Sequence, residues 1–430
     1  MRILYQRCCG LDIHKNKIVA CVMATDPLTG QVGVRKKEFG AWLKALRDLR
    51  FWLQSQKVTH VAMESTGVYW KPVWNVLEGR FTILLVNSKH FRGVPGRKTD
   101  MIDAEWLADL LRCGLLKSSF IPPKEIRELR DLTRWRVHLL EDANRAQNRL
   151  EQVLEDANIK LGAVVSDTLG VCARRMIRGV IEGKRDAAWM ADWGIGRLRA
   201  RRKELKLALE SLTTDHHRWL LKERLAAVEE IEARVARVET EIRRRIEPHQ
   251  ELLERLDEIP GVDEVTVWTI ISELGVDMEV FQTPERAASW AALCPGNRES
   301  AGKRKSGKTR KGNRYLRRAL VQVAWAVSHC KDNYLRARYW RLAGKVGKKK
   351  AALAVAHQVL KVIFLMIRDQ TRYKELGGNF YDKIDPIRAK NKLITRLNAL
   401  GWEVTLTPVS PLPSNLPPTP TTRTENSSCH

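Results

Sequence analysis

The sequence predicts a chain of mixed class: an α/β N-terminal domain, a long helical region with coiled-coil spacing, and a mostly α C-terminal domain. Three observations predict it. Up to about residue 122, short β-branched apolar runs alternate with helical patterns. Two runs without Gly or Pro, 124–161 and 197–247, carry apolar residues at heptad spacing. Beyond about residue 256, apolar helical stretches surround one Gly-rich basic segment. The expected divisions are 1–122, 123–255, 256–375 and 376–430.

Within the first division, Ile18-Val19-Ala20-Cys21-Val22-Met23 follows Gly10-Leu11-Asp12 across the polar turn His14-Lys15-Asn16-Lys17, which reads as a hairpin. Thr59-His60-Val61-Ala62-Met63 and Phe81-Thr82-Ile83-Leu84-Leu85-Val86 read as buried strands. A helix over 68–77 lies between them, so the three make a βαβ unit. In the second division, Leu132, Leu139, Ala143, Ala146, Leu150, Val153 and Ala157 form one stripe; Leu221, Leu225, Val228, Ile231, Val235, Val238 and Ile242 form the other. Two helices of roughly 50–75 Å at about 1.5 Å per residue are expected. They are read as an antiparallel hairpin or a dimerisation arm, or more plainly as a helical bundle within one subunit. In the third division, Ile259-Pro260-Gly261 leads into an apolar helix ending at Gly275, with later helices over 314–329 and 351–366. The Pro-, Ser- and Thr-rich tail from about residue 405 is expected to be disordered.

Composition narrows the function. The 430 residues hold 76 Lys+Arg against 50 Asp+Glu, a net charge of +26, which calls for a polyanionic partner. No run of 18 apolar residues occurs, so no membrane span is expected. Asp12 interrupts the N-terminus too early for a signal-peptide core, so a cytoplasmic protein is expected. Eight scattered cysteines, with no CxxC and no zinc spacing, read as reduced thiols.

Four carboxylates stand out. Asp12 ends a strand before a turn, and Glu64 follows a buried strand in Met63-Glu64-Ser65-Thr66-Gly67. Asp100 and Asp103 share one face if their segment opens a helix. Carboxylates at adjacent strand ends, facing a helix with two more, are what a Mg²⁺ site needs. Two such ions can stabilise the attacking and leaving oxygens of a phosphodiester. Plainer roles also fit: Asp12 as a turn residue, Asp100 and Asp103 as helix caps. Glu105 and Asp109 read as solvated or paired.

Residues 297–318 hold ten Lys/Arg and one Glu. Lys303, Arg304, Lys305, Lys308, Arg310, Lys311, Arg314 and Arg317 read as a phosphate-backbone clamp, or alternatively as a solvated basic loop. The stretch 302–309 satisfies the P-loop pattern, but no buried strand precedes it. Ser300 and Ser306 both sit amid strong positive charge, where an alkoxide is stabilised, and chemistry alone does not choose between them.

Together these segments resemble the IS110 insertion-sequence family of bridge-RNA-guided transposases. The matching residues are Gly10-Leu11-Asp12-Ile13-His14-Lys15, Met63-Glu64-Ser65-Thr66-Gly67 and Lys98-Thr99-Asp100-Met101-Ile102-Asp103-Ala104. Further on they are Ile259-Pro260-Gly261, Pro295, Ser300 and Lys311-Gly312-Asn313-Arg314-Tyr315-Leu316-Arg317-Arg318. The resemblance implies an RNase H-like (RuvC-like) first domain with catalytic, Mg²⁺-binding Asp12, Glu64, Asp100 and Asp103. It places the nucleophilic serine on Ser300, with Ser306-Gly307 as rival because Ala301 follows Ser300. Asp263 departs from the family, which commonly has a second glycine after Pro-Gly.

The resemblance further implies donor and target double-stranded DNA, a noncoding bridge RNA, a serine-linked intermediate, and a homo-oligomer, dimer or tetramer. It also implies work at the bacterial nucleoid in the cytoplasm. The competing readings are a metal-only RuvC-like nuclease or resolvase, and a non-catalytic nucleic-acid-binding protein.

Overall fold

Alternation of side chains along Arg7–Ile13 (β1) and the apolar run of Lys17–Thr25 (β2) builds an antiparallel hairpin, with Arg7 opposite Ala24 and Ile13 opposite Ile18. Val32–Gly40 (β3) extends it antiparallel to β2. His60–Glu64 (β4) and Thr82–Val86 (β5) add in parallel on the other side of β1, giving a mixed sheet of order β3-β2-β1-β4-β5. Helix α1 (Leu43–Ser55) precedes β4, and α2 (Trp70–Leu77) makes the β4-to-β5 crossover. Their Leu46, Leu49, Leu53, Val73 and Leu77 pack on the face that presents Leu11, Val61 and Met63. Helix α3 (Asp100–Arg112) covers the opposite face through Ala104, Leu107, Ala108 and Leu111.

This computed structural model describes residues 3–65, 67–87, 100–184, 186–296, 298–300, 303–307, 309 and 311–406; of 100–102, 298–300 and 303–306 it describes the backbone. The expected disordered tail thus falls, from residue 407 on, outside the described residues. The chain divides into two compact units, Met1–Pro122 and Pro123–His430.

In the second unit, α4 (Lys124–Asp156) is the first long helix. A cap follows, made of α5 (Leu161–Val164), α6 (Val171–Ile181), α7 (Ala187–Ala191), the 3-10 turn Gly196–Arg201 and α8 (Arg202–Leu209). The second long helix, α9 (Asp215–Ile246), returns antiparallel to α4: Asp156 meets His217, Arg136 meets Glu239, and Glu128 meets Arg245. The two apolar stripes face each other, with Leu139, Leu150, Leu221, Leu225, Val228, Val238 and Ile242 buried.

The single helix expected over 197–247 is instead broken at 210–214. Absence of Gly and Pro does not force continuity, because Thr214 offers a stronger local alternative. Its side chain accepts from the His217 backbone N–H while the His217 ring accepts from the Thr214 N–H, a capping box that starts α9 afresh.

The remaining helices are α10 (Gln250–Asp257), α11 (Glu264–Leu274), α12 (Pro284–Trp290), α13 (Arg314–Val327), α14 (Tyr334–Val346), α15 (Lys348–Arg368), α16 (Phe380–Ile384) and α17 (Pro386–Ala399). A short hairpin, β6 (Arg298–Ser300) with β7 (Lys303–Ser306), lies between α12 and α13. Helix α15 is long and apolar enough to cross a membrane by length and composition alone. Its Val355, Val359, Leu360, Ile363 and Phe364 are fully buried in the protein, so it serves as the core helix of this bundle.

Candidate active site

Parallel pairing of β1 with β4 sets Leu11 opposite Met63, so Asp12 and Glu64 come next along neighbouring strands. Leu11 and Met63 face the α1/α2 core. Strand alternation therefore turns Asp12 and Glu64 to the other face, the one that α3 covers. Helix α3 runs opposite to β1. The Leu4 N–H donates to the Arg112 carbonyl, the Cys8 thiol donates to the Ala108 carbonyl, and Gly10 abuts Ala104. Continued in that direction, the first turn of α3, with Asp100 and Asp103, reaches the sheet end that bears Asp12 and Glu64. Gly10 makes this approach possible, because a Cβ there would lie 2.2 Å from the Ala104 carbonyl oxygen.

The Asp12 carboxylate is mostly buried and hydrogen-bonds His14 Nε2 at 2.9 Å. Glu64 is half-buried and Asp103 exposed. Glu105 and Asp109 take other partners, Lys36 and Arg112, each at 2.5 Å. The donor chemistry, all carboxylate oxygen, suits a hard divalent cation. Among the described residues no group of three or more His, Cys, Asp or Glu side chains stands at metal-holding geometry.

In the second unit, the expected basic loop is a hairpin. Ser300 pairs with Lys303 at its turn end, and Ser306 pairs with Arg298 at its base. Lys303, Arg304 and Lys305 lie along β7, whereas Lys308 and Arg310 lie outside the described residues, as do Ala301 and Gly302. Within that stretch the described residues Lys303–Ser306 form a strand and α13 begins only at Arg314, which is not the strand–loop–helix order of a P-loop. Lys311 and Arg314 are exposed, and Arg317 donates to Thr309 Oγ1 at 2.9 Å. Asp263, where the family commonly has glycine, caps α11 by accepting from the Thr266 N–H at 2.8 Å.

A buried clamp holds the start of α13, and the motif reading missed it. Asn313 caps α13 by accepting from the Tyr315 and Leu316 N–H groups, and its amide donates to Glu273 Oε2 at 2.6 Å. Glu273 on α11 has no solvent exposure and accepts from Arg134 Nε and Nη2, at 2.7 and 2.8 Å. Arg130 donates to the Ser272 and Glu273 carbonyls, and burial pushes its guanidinium down to about 10 although Glu273 opposes the shift. Arg134 also lies over the Tyr315 ring, whose hydroxyl meets His138 Nε2 at 2.9 Å. A charged residue inside the apolar run of α11 was the available signal, because a buried carboxylate demands partners.

Residues 9–159 match the family described as DEDD_Tnp_IS110, Transposase, and residues 253–340 match that described as Transposase IS116/IS110/IS902 family. A curated relative from Pseudomonas aeruginosa, named "Probable family 20 transposase", is 27% identical over 159 residues, which is 36% of this chain and 46% of the relative. The alignment therefore spans about half the length of that relative. The DEDD transposase family implies an RNase H-like fold for the first unit, in keeping with its mixed five-stranded sheet. Two matches to one family, one over the carboxylate-bearing sheet and α4 and one over α11 and α13, lead to the conclusion that this chain belongs to the IS110 family of transposases.

Proposed function

We propose that the protein is a DNA transposase of an insertion sequence, a site-specific recombinase that cuts and rejoins double-stranded donor and target DNA under the guidance of a noncoding bridge RNA. The observation that supports it best is the side-by-side placement of Asp12 and Glu64, each one step beyond the paired Leu11 and Met63, on the sheet face that α3 covers, in a chain of a transposase family. Asp12, Glu64, Asp100 and Asp103 would hold Mg²⁺, and the ion would supply charge neutralisation at the scissile phosphate.

Ser300 is the proposed nucleophile. Its Oγ gives up its proton and attacks phosphorus, an Oγ–P bond forms, one bridging P–O bond breaks, and the departing sugar oxygen takes a proton, so none is gained or lost overall. Lys303, Arg304, Lys305, Lys308, Arg310, Lys311, Arg314 and Arg317 hold the backbone by charge. Base pairing with the RNA reads sequence while the protein reads backbone and shape. The net charge of +26 suits several nucleic-acid strands held at once. The working form is a homo-oligomer in the cytoplasm at the nucleoid.

Strand cleavage by Asp12→Ala and Glu64→Ala tests this reading. Both variants are expected to lose cleavage of element-end DNA and to retain duplex binding, since the basic residues are untouched. Cleavage at the wild-type rate in EDTA would overturn the metal role.

A further inference from the structure

The tip of the helical hairpin carries a second cationic surface that the reading above does not use. Residues 196–207 hold six Lys/Arg and one Glu. They form the 3-10 turn and most of α8, and Leu205 and Ala208 fix that segment by packing into the tip core beside Leu161 and Met190. Two of the cations are neutralised locally, Arg201 by Glu204 and Arg202 by Asp192. Arg197, Arg199, Lys203 and Lys206 are exposed, and among the described residues none of them makes an ion pair. Lys203 and Lys206, three apart on α8, share a side of that helix away from Leu205, and Arg197 and Arg199 lie on the 3-10 turn just before it.

Four unneutralised cations within ten residues of one folded segment repel each other and raise the local potential. An extended polyanion removes that cost, whereas the short acidic side chains nearby are already taken. The surface is also separate from the β6–β7 hairpin. Helix α13 meets α4 at Glu141 through Arg318. The tip begins past Asp156, fifteen residues on, or about 22 Å at 1.5 Å per residue.

We propose that Arg197, Arg199, Lys203 and Lys206 form a second nucleic-acid site, one that takes the phosphodiester backbone at the tip of the hairpin. The inference requires a nucleic-acid partner but not transposase chemistry.

The test uses the full chain and measures affinity against salt concentration for a mixed-sequence DNA duplex and for a stem-loop RNA. Replacing all four residues by Ala is expected to reduce the salt slope on duplex DNA by roughly three to four, and on RNA by somewhat less. Replacing Arg197 and Arg199 by Lys should leave the slope as it is, since charge is retained. The further loss on adding Lys303→Ala, Arg304→Ala and Lys305→Ala should be additive, because the two sites are apart. That additivity keeps this surface distinguishable from the hairpin if either fails. A loss confined to DNA or to RNA supports the proposal and identifies which backbone is held. Unchanged slopes for both probes, or equal losses in the Lys-for-Arg and Ala variants, would overturn it.

Discussion

Gly10 and Ala104 touch backbone to backbone: a Cβ on Gly10 would sit 2.2 Å from the Ala104 carbonyl oxygen and 2.5 Å from the Ala108 nitrogen. That contact sets how closely α3 approaches β1, and with it how closely Asp100 and Asp103 approach Asp12 and Glu64. Gly10→Ala is expected to cost about 1–3 kcal/mol through overpacking. Cleavage should fall further than the loss of stability explains, because the carboxylates shift while the sheet survives. Thermal unfolding and a cleavage assay on the same preparation check this; wild-type cleavage by the variant would refute it.

Glu273, itself without solvent exposure, holds the partly buried Arg134 and Asn313. Glu273→Ala leaves the partly buried Arg134 guanidinium and the Asn313 amide without their carboxylate, at a cost of about 2–4 kcal/mol once the solvent that reaches Arg134 is allowed for. Asn313→Ala loses a helix cap and should cost about 1–2 kcal/mol. Denaturant titration of the two variants should rank them in that order. Near-equal midpoints for wild type and Glu273→Ala would count against the clamp.

Ser300 is expected to become linked to DNA, and Ser306 is not. Ser300→Ala should abolish a denaturation-resistant protein–DNA adduct while leaving nucleic-acid binding intact, and Ser306→Ala should weaken activity only in part. Peptide mapping of the linked fragment decides the matter. A phosphodiester on Ser306, or no adduct from active protein, would transfer the role or remove it.

Replacing Lys303, Arg304, Lys305 and Lys308 together by Ala should flatten the salt dependence of DNA affinity by roughly three to four units of slope if each meets one phosphate. An unchanged slope would show that the hairpin is solvated surface.

The first unit should lose stability in alkali. Burial pushes the Cys8 thiol up to about 12 and the Cys21 thiol to about 11 from the ordinary 9.0, and it pushes Cys9 well above that value. The fold thus favours the protonated thiols. Their contribution is complete below pH 9 and is lost as pH rises from about 9 towards 12, where the unfolded chain ionises first. A falling melting temperature over that range checks it, and Cys21→Ser should blunt the fall. At neutral pH the buried Cys8, Cys9 and Cys21 should resist alkylation, while the partly exposed Cys113 and Cys330 react.

Much of this architecture follows from local pattern. The β1–β2 hairpin, the β4–α2–β5 crossover, and the facing stripes of α4 and α9 are written in residue spacing, because a strand or helix must bury one face and its period shows which. Asp12 and Glu64 could be singled out because each interrupts or ends such a pattern.

Other features depend on partners distant in sequence. Strand β3 is exposed over its first seven residues and charged from Arg35 to Glu38, so it leaves no buried alternation to read; pairing with β2 makes it a strand. The break before α9 came from a capping box that competes with helix propagation. The basic segment looked like a loop because the cross-strand pairing of β6 with β7 has no local signature in a run of cations and glycines. The Glu273 clamp joins α4, α11 and α13, and Gly10 matters only because α3 lies on it. Sequence spacing specifies which face an element buries. Only the tertiary fold decides what lies against that face, since close approach and buried charge pairing are properties of two distant segments together.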